Sequence, residues 1–436
     1  MGNYKKTNWK KEKLRDICSD ITIGLVKTMT KSYTEDPDGV PLIRNSDIKE
    51  NKIRKNGLIR LEKDFAEENK GKKLQLGDIV TVHTGDIGTS AVIDEELHGS
   101  HGFATLNTRV NKEIIDEYYL CYYFNSSYFK NQAYSLSTGD GRNNLNLKDF
   151  IKTVILFPEN KKEQKKIVEY LTTIDSVIEK TEAIINQTEK VKKGLMQQLL
   201  TKGIGHSKFK KTEIGEIPAV WEVKDLDSMF EFYGGMPFSR ASLGEQGPYY
   251  LHYGDIHKID KKVFDTTVDS SWLPRLAIEE GRIRENSLLK TGDIVFADAS
   301  EDTDGIGKSV VIKNDENKVF ISGLHTIIAK DKLPMLDINY KQYCFNNYAV
   351  RKQFIKIATG ATVYGISKSN IKQIYIPIPP LEEQKKIGAI LQSLDDKIQH
   401  EYKKLIPLNE TKKGIMQVLL TGVVRVKLNS EEVITS

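Results

Sequence analysis

Asp38, Glu50 and Lys52 occur as Pro37-Asp38 followed by Glu50-Asn51-Lys52. Two carboxylates and a lysine in this order can hold Mg2+ and activate a water, as in a metal-dependent nuclease. The same residues have an ordinary reading, because Asp36-Pro37-Asp38-Gly39 is turn chemistry and the pattern is short enough to arise by chance. Gly305-Ile306-Gly307-Lys308-Ser309 matches the end of a phosphate-binding loop. That loop needs glycine where Asp302 stands, and it must open a helix, whereas Val310-Val311-Ile312 reads as a strand. A second stretch, Ile87-Gly88-Thr89-Ser90, lacks the lysine, so a hairpin turn is the better reading of both. His98 and His101 lack the further ligands a metal site requires. No Gly-x-Gly-x-x-Gly, Asn-Pro-Pro-Tyr or Gly-x-Ser-x-Gly motif is found. Organised loops without a catalytic constellation point to recognition.

The elements that carry these loops belong to a chain of 436 residues with 65 Lys+Arg, 60 Asp+Glu and a net charge of +5. At 39% hydrophobic and 29% charged it can bury a core, and its length suits roughly three units. The weak positive charge barely favours nucleic acid. No run of about 18 uncharged apolar residues exists, so no membrane span is expected. The first residues show no apolar signal-peptide core. Cys18, Cys121 and Cys344 are far apart and odd in number, which excludes a disulfide framework and a Cys-x-x-Cys zinc site and suits a reducing cytoplasm.

The chain is written twice. Lys192-Lys193-Gly194-Leu195-Met196-Gln197-Gln198-Leu199-Leu200-Thr201 returns as Lys412-Lys413-Gly414-Ile415-Met416-Gln417-Val418-Leu419-Leu420-Thr421, an offset of 220. Glu163-Gln164-Lys165-Lys166-Ile167 returns as Glu383-Gln384-Lys385-Lys386-Ile387 in the same register, as does Asp175 as Asp395. Upstream the offset drifts, from 221 at Thr138-Gly139 and Thr359-Gly360 to 215 at Gly77-Asp78-Ile79-Val80 and Gly292-Asp293-Ile294-Val295, and 212 at Trp9 and Trp221. Loop insertions on a shared scaffold explain such drift.

The strongly repeated portions read as long helices. Ile167, Leu171, Ile174, Ile178, Thr181, Ile185 and Thr188 alternate steps of four and three, a heptad seam. The second copy gives Ile387, Leu391, Leu394, Ile398, Glu401, Leu405 and Leu408, with Gly203 and Gly422 as helix stops. A run of ~38 residues spans about 57 Å, too long for the inside of one small domain. Two such helices with matching seams most economically pack as an antiparallel pair, a coiled coil with a globule at each end and a pseudo-two-fold internal repeat. Pro407 should remove a backbone bond and kink the second helix.

The portions before each helix are mixed α+β. Strands are expected at 78–83, 90–94, 154–157, 293–297, 309–313 and 374–377, punctuated by Gly and Asp. Aromatic-rich helices are expected at 113–134 and 339–358, their rings serving the core rather than stacking on bases.

Two Glu-Gln-x-x-Ile helix starts and two Gly-Leu/Ile-Met-Gln-x-Leu-Leu-Thr helix ends carry a resemblance. The segment from Phe209 to Val223, through Ile214-Gly215-Glu216-Ile217-Pro218, adds to it, as do Pro377, Pro379 and Pro380 before Leu381-Glu382-Glu383-Gln384. Together they make the chain similar, over nearly its whole length, to the DNA-specificity subunit of a Type I restriction-modification system. It departs in keeping only Pro158 of the proline run at the first junction, in lacking an Ile-Gly-x-Ile-Pro lead before Trp9, and in Pro407.

The resemblance implies a non-catalytic, cytoplasmic, DNA-binding subunit. Its α+β architecture would comprise target-recognition domains at 1–157 and 204–376, spacer helices at 158–203 and 377–422, and a tail at 423–436. Each recognition domain would read one half of a bipartite, asymmetric site in double-stranded DNA. The helices would set the unread gap and dock two methyltransferase subunits. S-adenosylmethionine, ATP and Mg2+ would sit on those partners and on restriction subunits, with no cofactor on this chain. The alternatives are the nuclease of Asp38, Glu50 and Lys52, or a coiled-coil protein–protein scaffold. Reading bases requires polar side chains at base edges. Candidates in the first domain are Arg44, Asn45 and Asp47, then His83 and Thr84, then Arg142, Asn143 and Asn144. In the second they are His252, Tyr253 and Asp255, then Thr303, then Thr362 and Tyr364. Arg44 and Arg142 suit guanine, Asn45 and Asn143 suit adenine, and Lys148, Lys368 and Lys372 suit phosphates.

Overall fold

The computed structural model describes residues 8–138, 143–238, 240–259, 262–278 and 280–428. They fall into two compact units. One holds the chain up to Ala183 together with the residues from Lys403 onward; the other is Ile184–Tyr402. The division cuts both long helices, so each unit contains a globule and a half of each helix.

In the first unit, strands Cys18–Ile23, Thr105–Val110, Ile79–Val82 and Ser90–Val92 form an antiparallel sheet in that order. In the second, Phe230–Gly234, Thr326–Asp331, Ile294–Ala297 and Ser309–Lys313 do the same, with Val263–Asp265 added in parallel at the edge. The central strand of each is a β-favouring run buried at every position, released from a Gly-Asp turn whose glycine has positive φ. The aspartate of that turn has a task in both units. Asp78 holds Arg109 through two hydrogen bonds of 2.8 and 2.7 Å, and Asp293 holds Lys330 at 2.9 Å. A two-stranded ladder closes each globule, Trp9–Lys13 with Val154–Pro158 and Glu222–Asp225 with Tyr375–Ile378.

Each aromatic-rich stretch is two helices rather than one. Glu117–Asn125 and Ser127–Leu136 are separated by Ser126, whose Oγ accepts from Phe129 N at 3.3 Å. Ile338–Cys344 and Tyr348–Ile357 are separated by residues 345–347, the last of which, Asn347, accepts at Oδ1 from Ala349 N at 2.8 Å. A side-chain cap satisfies the orphan amides of a new helix start, so the break is stable. Tyr119, Tyr122, Tyr123, Phe124, Phe129, Tyr343, Phe345 and Phe354 are core residues, as the spacing predicts, whereas Tyr118 and Tyr348 are exposed.

The long helices are Lys161–Lys202 and Leu381–Leu419, 42 and 39 residues. Ile167, Leu171, Ile178, Thr181, Ile185 and Thr188 of the seam are buried. Within the first unit Asp175 meets Lys412 and Glu163 meets Arg425; within the second Lys192 meets Asp395 and Glu189 meets Tyr402. One residue number rises as its partner's falls, so the helix halves run antiparallel in each unit. Pro407 does not interrupt its helix. It lies on the exposed face beside Ile406, where water can satisfy the carbonyl that loses its amide partner.

The Glu-Gln pair at each helix start anchors helix to globule. Gln164, fully buried, accepts from Asp116 N at 2.7 Å and donates to Ile114 O and Pro158 O. Gln384 repeats this with Asp337 N at 2.9 Å, Met335 O and Pro379 O. A buried carboxamide can bond two strands of backbone at once, which no apolar residue of that size can do. At the other end, Gly203 and Gly422 adopt φ of +63° and +71°, and a Cβ on either would press on Trp221 or Trp9. No helix among the described residues is long and apolar enough to cross a membrane.

Candidate nucleic-acid interface

Strand Val40–Arg44 ends in a turn built by Asp47. Its carboxylate accepts from Arg44 N at 3.0 Å, from the Arg44 guanidinium at 3.0 and 3.3 Å, and from Arg54 Nη2 at 2.9 Å. Burial alone would raise the Asp47 carboxyl, but the hydrogen bonds from Arg44 and Arg54 outweigh it and hold the group below its ordinary value. At 1% exposure Asp47 cannot meet a base, which corrects its assignment as a contact. It aims two arginines instead, of which Arg54 was not singled out in the sequence. An oriented, partly exposed guanidinium is the group that pairs with the O6 and N7 edge of guanine.

Two further loops join this turn. His83 N donates to Asn45 Oδ1 at 3.4 Å, and His83 Nδ1 lies 2.8 Å from Thr84 Oγ1. The Thr84 hydroxyl donates to Asn144 Oδ1 at 3.2 Å, while Gly85 N reaches Asn143 O at 3.0 Å. Arg44, Asn45, His83, Thr84, Asn143 and Asn144 therefore form one polar surface. Burial lowers the affinity of His83 for a proton. Lys148 is exposed on the short helix Leu147–Phe150 that follows. Arg142 lies outside the described residues.

The second unit repeats the turn with other side chains. His252 N donates to Asp255 Oδ2 at 3.0 Å, and His252 Nδ1 accepts from Gly254 N at 3.1 Å. These bonds cap the helix Tyr253–Lys258, so His252 and Asp255 build the turn. Tyr253 remains partly exposed, with its ring 4.4 Å from that of His252. Thr303 belongs to a loop clamped by Arg351, whose guanidinium donates to the carbonyls of Thr303, Asp304 and Ile306 at 3.4, 2.9 and 2.8 Å. Here Gly305–Ser309 is a turn feeding strand Ser309–Lys313, not a phosphate loop opening a helix. Ser300 and Ala299 pair with Tyr364 and Gly365, which joins this loop to the one carrying exposed Thr362. Lys368 is exposed, whereas Lys372 is 2.9 Å from Asp227, whose carboxyl it holds below its ordinary value.

The nuclease constellation is not assembled. Asp38 N bonds Asp36 Oδ1 within a turn, Glu50 pairs with Lys130 at 2.8 Å, and Lys52 pairs with Glu179 at 3.3 Å. Glu50 and Lys52 are thus paired with different residues, and not with Asp38. His101 is buried with Nε2 3.3 Å from Ala66 O, and His98 Nδ1 accepts from Leu76 N.

The model of the Type I restriction modification DNA specificity domain matches residues 6–190 and again 207–410, one copy for each repeat. A putative type I restriction enzyme MjaX specificity subunit of Methanocaldococcus jannaschii is 29% identical over 98% of this chain and 97% of its own length. The MjaVIII specificity subunit of the same organism is 32% identical over 72% of each chain, and the EcoKI specificity subunit of Escherichia coli is 24% identical over 84% of this chain and 78% of its own. The crystal structure of a Type I S subunit from M. genitalium shares the fold, with a TM-score of 0.57 at 14% identity over 98% of this chain and 99% of that one. The chain belongs to the Type I restriction-modification DNA specificity family, and is a DNA-recognition subunit rather than an enzyme.

Proposed function

We propose that each unit of this chain reads one half of a bipartite, asymmetric DNA site. The observation that carries this is one scaffold built twice, with different side chains on matching turns. Arg44 and Asn45 stand in the first unit where His252 and Tyr253 stand in the second. Phosphate contacts from residues such as Lys148 and Lys368 position the duplex, and the loop side chains supply base discrimination. The two long helices set the unread gap and dock two methyltransferase subunits, which carry S-adenosylmethionine. Restriction subunits with ATP and Mg2+ complete a cleaving assembly. The complex works in the cytoplasm, and this chain holds no cofactor.

The test replaces the first globule with that of a relative, assembles the chain with its methyltransferase partner, and maps methylated adenines. One half-site should change and the other stay fixed. An unchanged sequence pattern would defeat the reading.

A further inference from the structure

His325 follows Gly323-Leu324 in the loop before strand Thr326–Asp331, with φ of +56°. This left-handed region is unfavourable for an L side chain. Ala104, 221 residues earlier in the matching loop before Thr105–Val110, has φ of +49°. The shared scaffold thus imposes the conformation, and the side chain it displays is what differs between the units.

That side chain sits where the recognition loops of the second unit converge. The His325 ring is 51% exposed, with Nδ1 3.2 Å from Asp298 Oδ1. Tyr253 of the capping turn meets it edge-on, centroids 5.3 Å apart at 81°. Asp298 N donates to His325 O at 3.1 Å, and Ile366 N donates to Asp298 O at 2.8 Å. His325 and Asp298 together therefore link the turn at 252–255, the start of the loop at 299–304, and the end of the loop at 359–366. With Nδ1–H donating to the Asp298 carboxylate, the ring is oriented, and in its neutral form it presents Nε2 as an acceptor. Burial pushes the Asp298 carboxyl up, while His325 pulls it down.

We propose that His325 is a base-reading residue of the second unit, with Nε2 accepting from the amino group of an adenine or cytosine in the major groove and Asp298 as its positioning residue. This rests on the function proposed above. A held acceptor at a base edge discriminates amino-bearing bases from guanine and thymine.

The experiment assembles the methyltransferase complex with the native chain, His325→Ala, His325→Gly and Asp298→Asn, and maps methylated adenines across random-sequence DNA. Both substitutions at 325 should lower discrimination about tenfold or more at one base position of one half-site, with every other position unchanged. Asp298→Asn should weaken discrimination at that same position. Glycine suits the left-handed backbone, so His325→Gly keeps the fold while removing the ring. Unchanged base preferences overturn the proposal. So does a uniform fall in methylation with preferences kept, which marks a phosphate contact, or failure of the glycine variant to assemble, which marks a structural role. A native complex without any bipartite preference would instead defeat the underlying function.

Discussion

In the first unit Lys52 meets Glu179 on the long helix at 3.3 Å. In the second unit the helix position 220 residues on is Gln399, and Lys262 is set among Lys308, Lys192 and Arg351. The cavity it lines also holds His257, Asp302 and Asp304. Yet one step away the units agree. Tyr122 donates to Asp175, which pairs with Lys412, and Tyr343 donates to Asp395, which pairs with Lys192. Each triad takes its lysine from the helix that does not carry its aspartate. Positions joining globule to helix kept their chemistry after duplication, whereas positions on the cleft beside the recognition loops did not. Recognition surfaces can diverge only on a frame whose internal bonds are held constant.

The buried glutamate at each helix start offers the strongest way to break this comparison. Glu163, with a side chain 3% exposed, is held by Arg425; Glu383, 11% exposed, is held by His206, by Trp221 Nε1 at 2.9 Å and by Ile204 N at 2.8 Å. Arg425→Ala removes the cation from a buried carboxylate and should cost about 3 kcal/mol. His206→Ala leaves two neutral donors in place and should cost about 1 kcal/mol. Calorimetric unfolding of the two variants checks the ratio. Equal losses would mean that the two helix starts are anchored alike despite their different partners.

Asp47 and Asp255 give the next contrast. Asp47→Ala strips a buried carboxylate from two guanidinium groups and should cost about 2 kcal/mol, while Asp255→Ala loses a helix cap, about 1 kcal/mol. The folded Asp47 carboxyl lies below its ordinary value of 3.8. Its stabilisation is therefore complete above about pH 4 and is lost as pH falls through the lower folded value. Urea melts at pH 7 and pH 3 should show the penalty of Asp47→Ala shrinking on acidification. A penalty that grows instead would reverse the assignment.

What could be read before folding follows from the range of each interaction. The helix seam and the Glu-Gln starts were legible because they repeat within heptads and at one fixed offset. Strand positions were legible because Gly77-Asp78 and Gly292-Asp293 punctuate them locally. The break at Ser126 was missed because a serine between aromatics looks helical until its hydroxyl is seen bonding Phe129 N. Asp47 was misread as a base contact because its burial depends on Arg54 across a hairpin. His325 escaped notice because its meaning lies in Asp298, 27 residues away. The loops that choose bases are the least local part of the molecule, and so the least legible.

The smallest expected effect returns to the two lysines and sharpens the contrast most cleanly. Burial, then repulsion from Lys308, Lys192 and Arg351, lowers the Lys262 ammonium from 10.5 to about 8, with Asp395 opposing. Because the folded value lies below the unfolded one, the folded chain binds fewer protons between them. The cost of this lysine is full below about pH 8 and disappears as pH rises past 10.5. Lys262→Gln should therefore stabilise the protein at pH 7 by about 1 kcal/mol, a gain that fades through that window. Lys52→Gln breaks a pair whose side chains are 55% and 57% exposed, and should cost no more than about 0.5 kcal/mol. Denaturant melts of both variants at pH 7 and pH 10 supply the measurement. If Lys262→Gln destabilised the chain at pH 7, Asp395 would outweigh burial and the neighbouring cations, and the divergence between the units would be one of side-chain choice without a difference in stability.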